Sequence, residues 1–346
     1  MRVVAYSIKG FEKELLAKAN RKKHDITLIS NALSPDTAAY AEGKDAVIVF
    51  TNDDVSAPVI HKLSDLGIKY IATRSVGTDH IDRAAAAKYN IKIANVPDYS
   101  PQAIAEFAVT LALALSRKVL LAAEQCKKHN FTIDNQIGFN FFNKTVGIVG
   151  LGNTGLAAAS IFKGFGCRLL GFDPAPISPP DFIEKVDLET LFRQSDVISL
   201  HAALVPSTYH LINARSIAKM KKGVMLINTG RGALIKTDDA LAAVESGQIG
   251  YLGLDVYEHE KGLFFFDHQH SEKRDPMLEK LMCHPNVIVT PHQAFLTREA
   301  VEEIAMQVIR ILDLWQKDKC IGRSCACTDE CKNAARRSIK TSFKSL

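Results

Sequence analysis

Three polar stretches, each placed just after an apolar run that reads as a strand, hold the side chains best suited to acid–base and anion chemistry. They are Asn228 to Gly232, Asp255 to Glu260, and Thr290 to Phe295. In the first, glycines flank Arg231 at a strand end, where a guanidinium can clamp a carboxylate through two parallel hydrogen bonds that a lysine cannot reproduce. A surface arginine in a turn is the plainer alternative. In the second, Asp255, Glu258 and Glu260 follow one another closely; one carboxylate could hold an amide and another could pair with a histidine, although acidic turn residues are more often simply solvated. In the third, Pro291 fixes the position of His292, whose imidazole is suited to gain and lose a proton near neutral pH. A carboxylate beside it would favour the imidazolium and ready it as a donor.

A fourth stretch says what these groups would work beside. Gly150, Gly152 and Gly155 form a GxGxxG motif, with Leu151, Asn153 and Thr154 between them, preceded by the apolar run Val146 to Val149. The first glycine permits a sharp strand-to-helix turn, the second leaves room for a pyrophosphate to approach the backbone, and the third lets helix and strand pack closely. The phosphates then sit at a helix N-terminus, against outward-pointing amides. Asp173 falls about twenty residues further on, at the end of the next apolar run, where a carboxylate accepts both ribose hydroxyls of an adenosine. A 2′-phosphate would be repelled there and Pro174 offers no cation, so NAD is expected over NADP. An arginine for a carboxylate, an acid and a proton carrier beside a nicotinamide are what hydride transfer to an α-keto acid requires.

The elements that must position these residues alternate. Strands are expected at Val3 to Tyr6, Ile26 to Ile29, Ala46 to Val49 and Tyr70 to Thr73. Helices are expected at Phe11 to Ala19, Pro35 to Ala41 and Ala57 to Leu66, with a small one around Ala84 to Ala87. A second alternating series starts at Lys144 and continues through Leu156 to Phe165 as helix, then Cys167 to Phe172, Val197 to Leu200, Val224 to Ile227, Tyr251 to Asp255 and Val287 to Thr290 as strands. The expected fold is α/β, two doubly wound parallel-sheet (Rossmann-like) domains with a cleft between them. Ser100 and Pro101 look like a helix start, and Gln102 to Ala123 reads as one long helix joining the domains. Thr297 to Gln316 reads as a helix that returns the chain to the first domain. The expected division is therefore 1–100 with about 297–319 as a substrate domain, 101–296 as the NAD domain, and 320–346 as a poorly ordered tail.

Composition agrees with two ordinary globular cores: 346 residues, 47% hydrophobic and 23% charged. The net charge of +5 is concentrated at one end, because residues 320–346 hold six Lys or Arg against Asp329 and Glu330. A near-neutral body argues against a nucleic-acid partner. The apolar stretch Ala103 to Leu115 contains Glu106 and is too short to span a bilayer, and Met1 to Ser7 lacks the pattern of a signal peptide. A cytoplasmic location with no membrane partner is expected. Four of the seven cysteines, Cys320, Cys325, Cys327 and Cys331, crowd into the tail at spacings that match neither zinc nor iron–sulfur patterns, so no metal is expected.

Over residues 1 to about 318 the chain resembles the D-isomer-specific 2-hydroxyacid dehydrogenases, and within them the D-lactate branch. Ser75 to Asp82, Val96 to Glu106, the glycine motif, Asn228 to Gly232, Asp255 to Glu260 and Thr290 to Phe295 carry the resemblance. It implies that Arg231 binds the substrate carboxylate and polarises its carbonyl, that His292 is the acid in reduction and the base in oxidation, and that Glu260 tunes His292, with Glu258 the competing candidate. It also implies that Asp255 and Thr229 contact the cofactor together with Gly150 to Gly155 and Asp173, and that backbone amides of Val76 and Gly77 cradle the substrate carboxylate. Tyr99 and Phe295 are similar to that branch's aromatic pocket wall, suited to the methyl of pyruvate, and Gly262 to Phe266 is either a packing loop or a substrate contact. A homodimer is implied by the resemblance alone. The competing expectations are a broader dehydrogenase for larger 2-keto acids and a non-catalytic NAD(H) sensor.

Overall fold

The computed structural model describes residues 1–319 and 321–327. The chain divides into two compact units: Met1–Ser100 together with the described residues from Thr297 onward, and Pro101–Leu296.

The first unit holds a five-stranded sheet of β1 (Arg2–Ala5), β2 (Asp25–Leu28), β3 (Ala46–Val49), β4 (Tyr70–Thr73) and β5 (Lys92–Ala94), in the order β2-β1-β3-β4-β5. All pairings are parallel. Ala46 to Val49 is buried along its whole length, as expected of a central strand covered on both faces. Helices Gly10–Asn20, Ala57–Asp65, Arg83–Lys88 and Arg298–Trp315 belong to this unit. The first ends at Arg21, whose left-handed backbone (φ 48°) lets its N–H cap the Ala17 carbonyl. The stretch Pro35 to Ala41 is not an α-helix but a 3-10 turn over Ala38–Ala41, because the Thr37 hydroxyl turns back onto the Ala32 carbonyl at 2.6 Å.

The expected tail begins differently from its reading as poorly ordered. Cys325 pairs antiparallel with Ala94, the Ala326 N–H donates to the Ile93 carbonyl at 3.0 Å, and the Asn95 N–H donates to the Ser324 carbonyl at 2.9 Å. Ala326 is fully buried. Residues 321–327 thus cover the open edge of β5, whose unpaired backbone groups would otherwise face solvent. Cys320 and residues 328–346 lie outside the described residues.

The second unit holds seven parallel strands: β6 (Thr145–Val149), β7 (Arg168–Phe172), β8 (Ile183–Lys185), β9 (Val197–Leu200), β10 (Val224–Asn228), β11 (Ile249–Leu254) and β12 (Val287–Val289). Their order is β12-β11-β10-β9-β6-β7-β8. The chain therefore winds one way from β6 to β8 and the other way from β9 to β12, which puts a topological switch between the carboxyl ends of β6 and β9. Packed helices are Pro101–Ser116, Asn153–Gly164, Leu188–Gln194, Thr237–Glu245 and Pro276–Cys283.

The long helix expected over Gln102 to Ala123 breaks. It stops at Ser116, Lys118 takes a left-handed conformation (φ 50°), and a second helix of Val119–Lys127 buries none of its residues. The break has a tertiary cause: Phe139 N–H approaches the Ser116 carbonyl at 3.3 Å, and a side chain at Gly138 would lie 2.1 Å from that oxygen. The returning chain takes the carbonyl that the next helical turn would have used.

Candidate active site

Glycine chemistry at the end of β6 follows from contact distances. Gly150 has φ +95°, and a Cβ there would lie 2.7 Å from the backbone carbon of His201 at the end of β9; at Gly155 it would lie 1.9 Å from the Gly150 carbonyl oxygen. Gly152, in contrast, has open space where its Cβ would be. Packing accounts for the outer two glycines, and the middle one leaves the approach that a pyrophosphate needs. Helix Asn153–Gly164 begins directly after Gly152 with no side-chain cap, so Asn153 and Thr154 occupy its first turn and its leading amides point outward.

Asp173 follows β7 and accepts from the Leu151 N–H at 2.9 Å and the Ala175 N–H at 2.8 Å. Its carboxylate is thereby fixed beside the glycine loop with lone pairs to spare. Two further buried polar atoms, Thr229 Oγ1 after β10 and His201 Nδ1 after β9, have no hydrogen-bond partner among the described residues. His201 as a residue is partly exposed, but its Nδ1 has no solvent contact and its Nε2 lies 2.8 Å from Ser199 Oγ; burial pushes the imidazole down to about 4. His201 directly follows β9, the same strand-end signal in the sequence that marks His292. The glycine cradle, the fixed Asp173 and these orphaned atoms fit a dinucleotide.

At the other strand ends of this unit, Glu260 Oε1 lies 2.8 Å from His292 Nδ1, while Glu260 Oε2 accepts from the Tyr257 N–H at 3.1 Å. Glu260 is the histidine's partner; Glu258 instead reaches His210 and the Thr237 N–H. His292 adopts φ 56° and donates its N–H to the Asp255 carbonyl at 2.7 Å. A left-handed backbone on a bulky residue is strained and is held by its surroundings. The Phe265 ring, 5.6 Å from the imidazole centroid to centroid, is part of them, so Gly262 to Phe266 supplies one contact to the His292 ring while Phe264 is buried in the core.

Asp255, expected to contact the cofactor, directly follows β11. It is fully buried, and its carboxylate accepts from the Thr290 hydroxyl (2.6 Å), the Gln293 N–H (2.9 Å) and the Ala294 N–H (2.8 Å). Burial pushes its carboxyl above the ordinary range, against these hydrogen bonds. These hydrogen bonds tie Asp255 to the loop that carries His292.

Arg231 follows β10 in a turn made by Asn228, whose Nδ2 donates to the Arg231 carbonyl at 2.9 Å and whose Oδ1 accepts from the Gly230 N–H at 3.1 Å. Its Nη1 donates to the Gly230 carbonyl at 2.9 Å. Phe295 lies just past the His292 loop in the same unit.

In the five-stranded unit, Val76 and Gly77 follow β4. Asn95 Nδ2 donates to the Val76 carbonyl at 2.6 Å and Ser75 Oγ to the Gly77 carbonyl at 2.7 Å. Both carbonyls are thus engaged, while neither amide N–H donates to a described residue. Tyr99 lies after β5 in that unit, partly buried. No group of three metal-ligating side chains occurs among the described residues, and no described helix is long and apolar enough to cross a membrane.

Comparison with known proteins agrees with this geometry. Residues 109–294 match the sequence model of the D-isomer specific 2-hydroxyacid dehydrogenase NAD-binding domain. The chain is 41% identical over 320 residues to D-lactate dehydrogenase of Escherichia coli, covering 92% of this chain and 97% of that enzyme. It is 38% identical over 307 residues to an aromatic 2-oxoacid reductase of Clostridium sporogenes, covering 88% and 93%. The solved structure of the pyruvate reductase of Chlamydomonas reinhardtii superposes with a TM-score of 0.86 at 41% identity, covering 93% of this chain and 98% of that one. The cofactor of this domain is therefore NAD, and the chain belongs to the D-isomer-specific 2-hydroxyacid dehydrogenases.

Proposed function

We propose that this chain is an NAD-dependent D-lactate dehydrogenase, which reduces pyruvate to D-lactate and runs the reverse reaction. The 2.8 Å contact of Glu260 with His292 Nδ1 carries the proposal. Bound NADH supplies a hydride to the carbonyl carbon of the keto acid, and NAD takes it back in oxidation. The chain's own part is to bind, polarise and move the proton. Arg231 pairs with the substrate carboxylate and draws electron density toward the carbonyl oxygen. Glu260 accepts from Nδ1–H, which orients the ring and leaves Nε2 as the atom that gives its proton to the forming alkoxide and recovers it in the reverse direction. The free amides of Val76 and Gly77 are offered for a carboxylate, and Tyr99 and Phe295 for the substrate's apolar end.

Pyruvate is favoured because two of the relatives above are a D-lactate dehydrogenase and a pyruvate reductase. The aromatic 2-oxoacid reductase among them supports a second reading, a broader enzyme for larger keto acids. An apolar pocket discriminates by only about 1 to 3 kcal/mol per methylene, so activity on neighbouring acids is expected in either case. The deciding experiment is loss of NADH absorbance with pyruvate and with phenylpyruvate, followed by chiral analysis of the product. D-lactate formed with a higher kcat/KM than the aromatic product supports the proposal; preference for phenylpyruvate replaces it with the broader reading.

A homodimer is part of the same proposal. Phe131, Ile133 and Ile137, in the segment after helix Val119–Lys127, are 71%, 81% and 88% exposed, and Leu120 and Phe142 add to the apolar surface. Apolar area of this kind on an ordered segment fits a second copy of the chain. Sedimentation of the wild type and of Ile137→Lys tests it, with a dimer expected for the first and a shift toward monomer for the second. A cytoplasmic site is the companion expectation, and Cys126, Cys167 and Cys283, as thiols, fit a reducing compartment.

A further inference from the structure

Glu258 and His210 have no part in the chemistry above, yet they occupy the junction of three loops that serve it. Glu258 Oε1 lies 2.5 Å from His210 Nε2, and Oε2 accepts from the Thr237 N–H at 2.9 Å. The carboxylate is largely enclosed, its side chain 10% exposed. Burial works against its ionised form, but the Thr237 N–H and His210 outweigh it and hold the carboxyl below its ordinary value.

Each partner belongs to a different segment. His210 donates its backbone N–H to the Ala233 carbonyl at 2.9 Å, and Ile212 donates to the Leu234 carbonyl at 2.9 Å, so the His210 loop lies along the stretch that follows Arg231. At Gly232 a Cβ would be 2.1 Å from the Tyr257 carbonyl and 2.4 Å from the Glu258 nitrogen. The Arg231 turn is therefore pressed against the Tyr257–Glu258 backbone. Two residues further, Glu260 is anchored by the Tyr257 N–H and meets His292.

We propose that Glu258 and His210 form a positioning pair that sets Arg231 and the Glu260–His292 pair in register. The argument rests on the functional reading above, because it concerns the geometry that reading requires. One carboxylate fastens the turn bearing the substrate arginine to the turn bearing the histidine's partner. Without it, the Thr237 N–H loses its acceptor, the His210 loop loses its hold on the loop of Glu258, and the spacing of guanidinium and imidazole is no longer imposed.

The test compares Glu258→Ala, Glu258→Gln and His210→Ala on whichever 2-keto acid the wild type turns over fastest, so that an error about pyruvate does not count against the pair. Glu258→Ala is expected to raise KM for the keto acid and lower kcat, with kcat/KM falling about 10- to 100-fold, the scale of a displacement near 1 Å. NADH affinity, carried chiefly by the glycine loop after β6 and Asp173 after β7, is expected to stay within about twofold of wild type, a rough bound for sites without shared partners. Glu258→Gln keeps an acceptor for Thr237 and a donor for His210 Nε2, and is expected to recover most of the loss. His210, with a side chain 24% exposed, gives a second variant less exposed to misfolding. His210→Ala is expected to show the same KM and kcat signature, smaller, and to add nothing when combined with Glu258→Ala. The proposal is overturned if the alanine variants lose thermal stability but keep kcat and KM, if NADH affinity falls in parallel with turnover, or if Glu258→Gln is as impaired as Glu258→Ala.

Discussion

In the five-stranded unit the charged groups at the strand ends are turned inward. Arg74, 3% exposed after β4, lies with Nε 3.2 Å from Glu12, donates through Nη2 to the carbonyls of Tyr6 and Ser7, and sits over the Phe50 ring. Asp53, 2% exposed after β3, accepts from the Ser7 hydroxyl and the N–H groups of Leu33 and Phe50. In the seven-stranded unit the same positions after strands carry Arg231, Glu260 and His292, all partly exposed. Two sheets of one construction thus use ionisable side chains in opposite ways. A strand end delivers a polar residue to a reproducible place, and its surroundings decide whether the residue ties loops together or meets a ligand.

Substitutions should separate the two uses. His292→Gln removes the proton carrier and is expected to lower kcat by up to about 10⁴-fold, while NADH affinity and the melting temperature stay near wild type. Stability lost along with turnover would place His292 among the inward-facing groups and dissolve the contrast. Asp53→Ala should behave in the opposite sense. It leaves three buried donors without an acceptor, each costing on the order of 1 kcal/mol or more, so the urea midpoint of the five-stranded unit should fall by the equivalent of about 3 kcal/mol. NADH affinity should not change, since the residues that fit NAD lie in the other unit. A weakened affinity for NADH would show that Asp53 does more than hold its own loops.

The degree to which these arrangements could be read in the sequence follows the range of the forces that set them. Strands β3, β4 and β9 were legible to the residue, because Ala46 to Val49, Tyr70 to Thr73 and Val197 to Leu200 are short apolar runs with polar or turn residues at their ends. Strands β5 and β8 were not, being three-residue edges whose pairing depends on neighbours far along the chain. The helix break after Ser116 was invisible for the same reason, since its cause is Phe139, more than twenty residues on. At the candidate site, the placement of Arg231, Glu260 and His292 after strands was legible, and so was the pairing of Glu260 with His292. The partners that hold them were not: Asp255 reaches residues 35 to 39 positions away and Glu258 reaches one 48 positions away. Side-chain type and local spacing point to groups that meet ligands; the groups that position them are chosen by tertiary contact.

His201 is the place where the seven-stranded unit behaves like the other. Its folded pKa, near 4, lies below the value of about 6.5 expected when unfolded. The folded state therefore binds fewer protons between those values. The stabilisation is fully present above about pH 6.5 and is lost as pH falls toward 4, up to about 3 kcal/mol for a displacement of roughly 2.5 units at 1.36 kcal/mol each. Urea midpoints between pH 7 and pH 4.5 should fall more steeply for wild type than for His201→Gln if this holds. Parallel loss in both proteins would assign the acid sensitivity to the carboxylates instead.

The smallest expected effect probes the finest distinction at the glycine loop. Asp173 is expected to serve both uses at once: its oxygens hold the Leu151 and Ala175 amides, and the ribose role is the one its place after β7 proposes. Asp173→Ala removes the repulsion toward a 2′-phosphate as well as the acceptor for the ribose hydroxyls. The ratio of kcat/KM for NADH to that for NADPH should therefore fall by about tenfold, near 1.4 kcal/mol, chiefly through weaker use of NADH. Asp173→Asn separates the two contributions, because it keeps an acceptor for Leu151 and loses only the charge. If the asparagine variant matches the alanine one, charge repulsion sets cofactor choice. If it retains the wild-type ratio, the hydrogen bonds do, and Asp173 acts mainly by shaping the loop, as Asp53 does in the five-stranded unit.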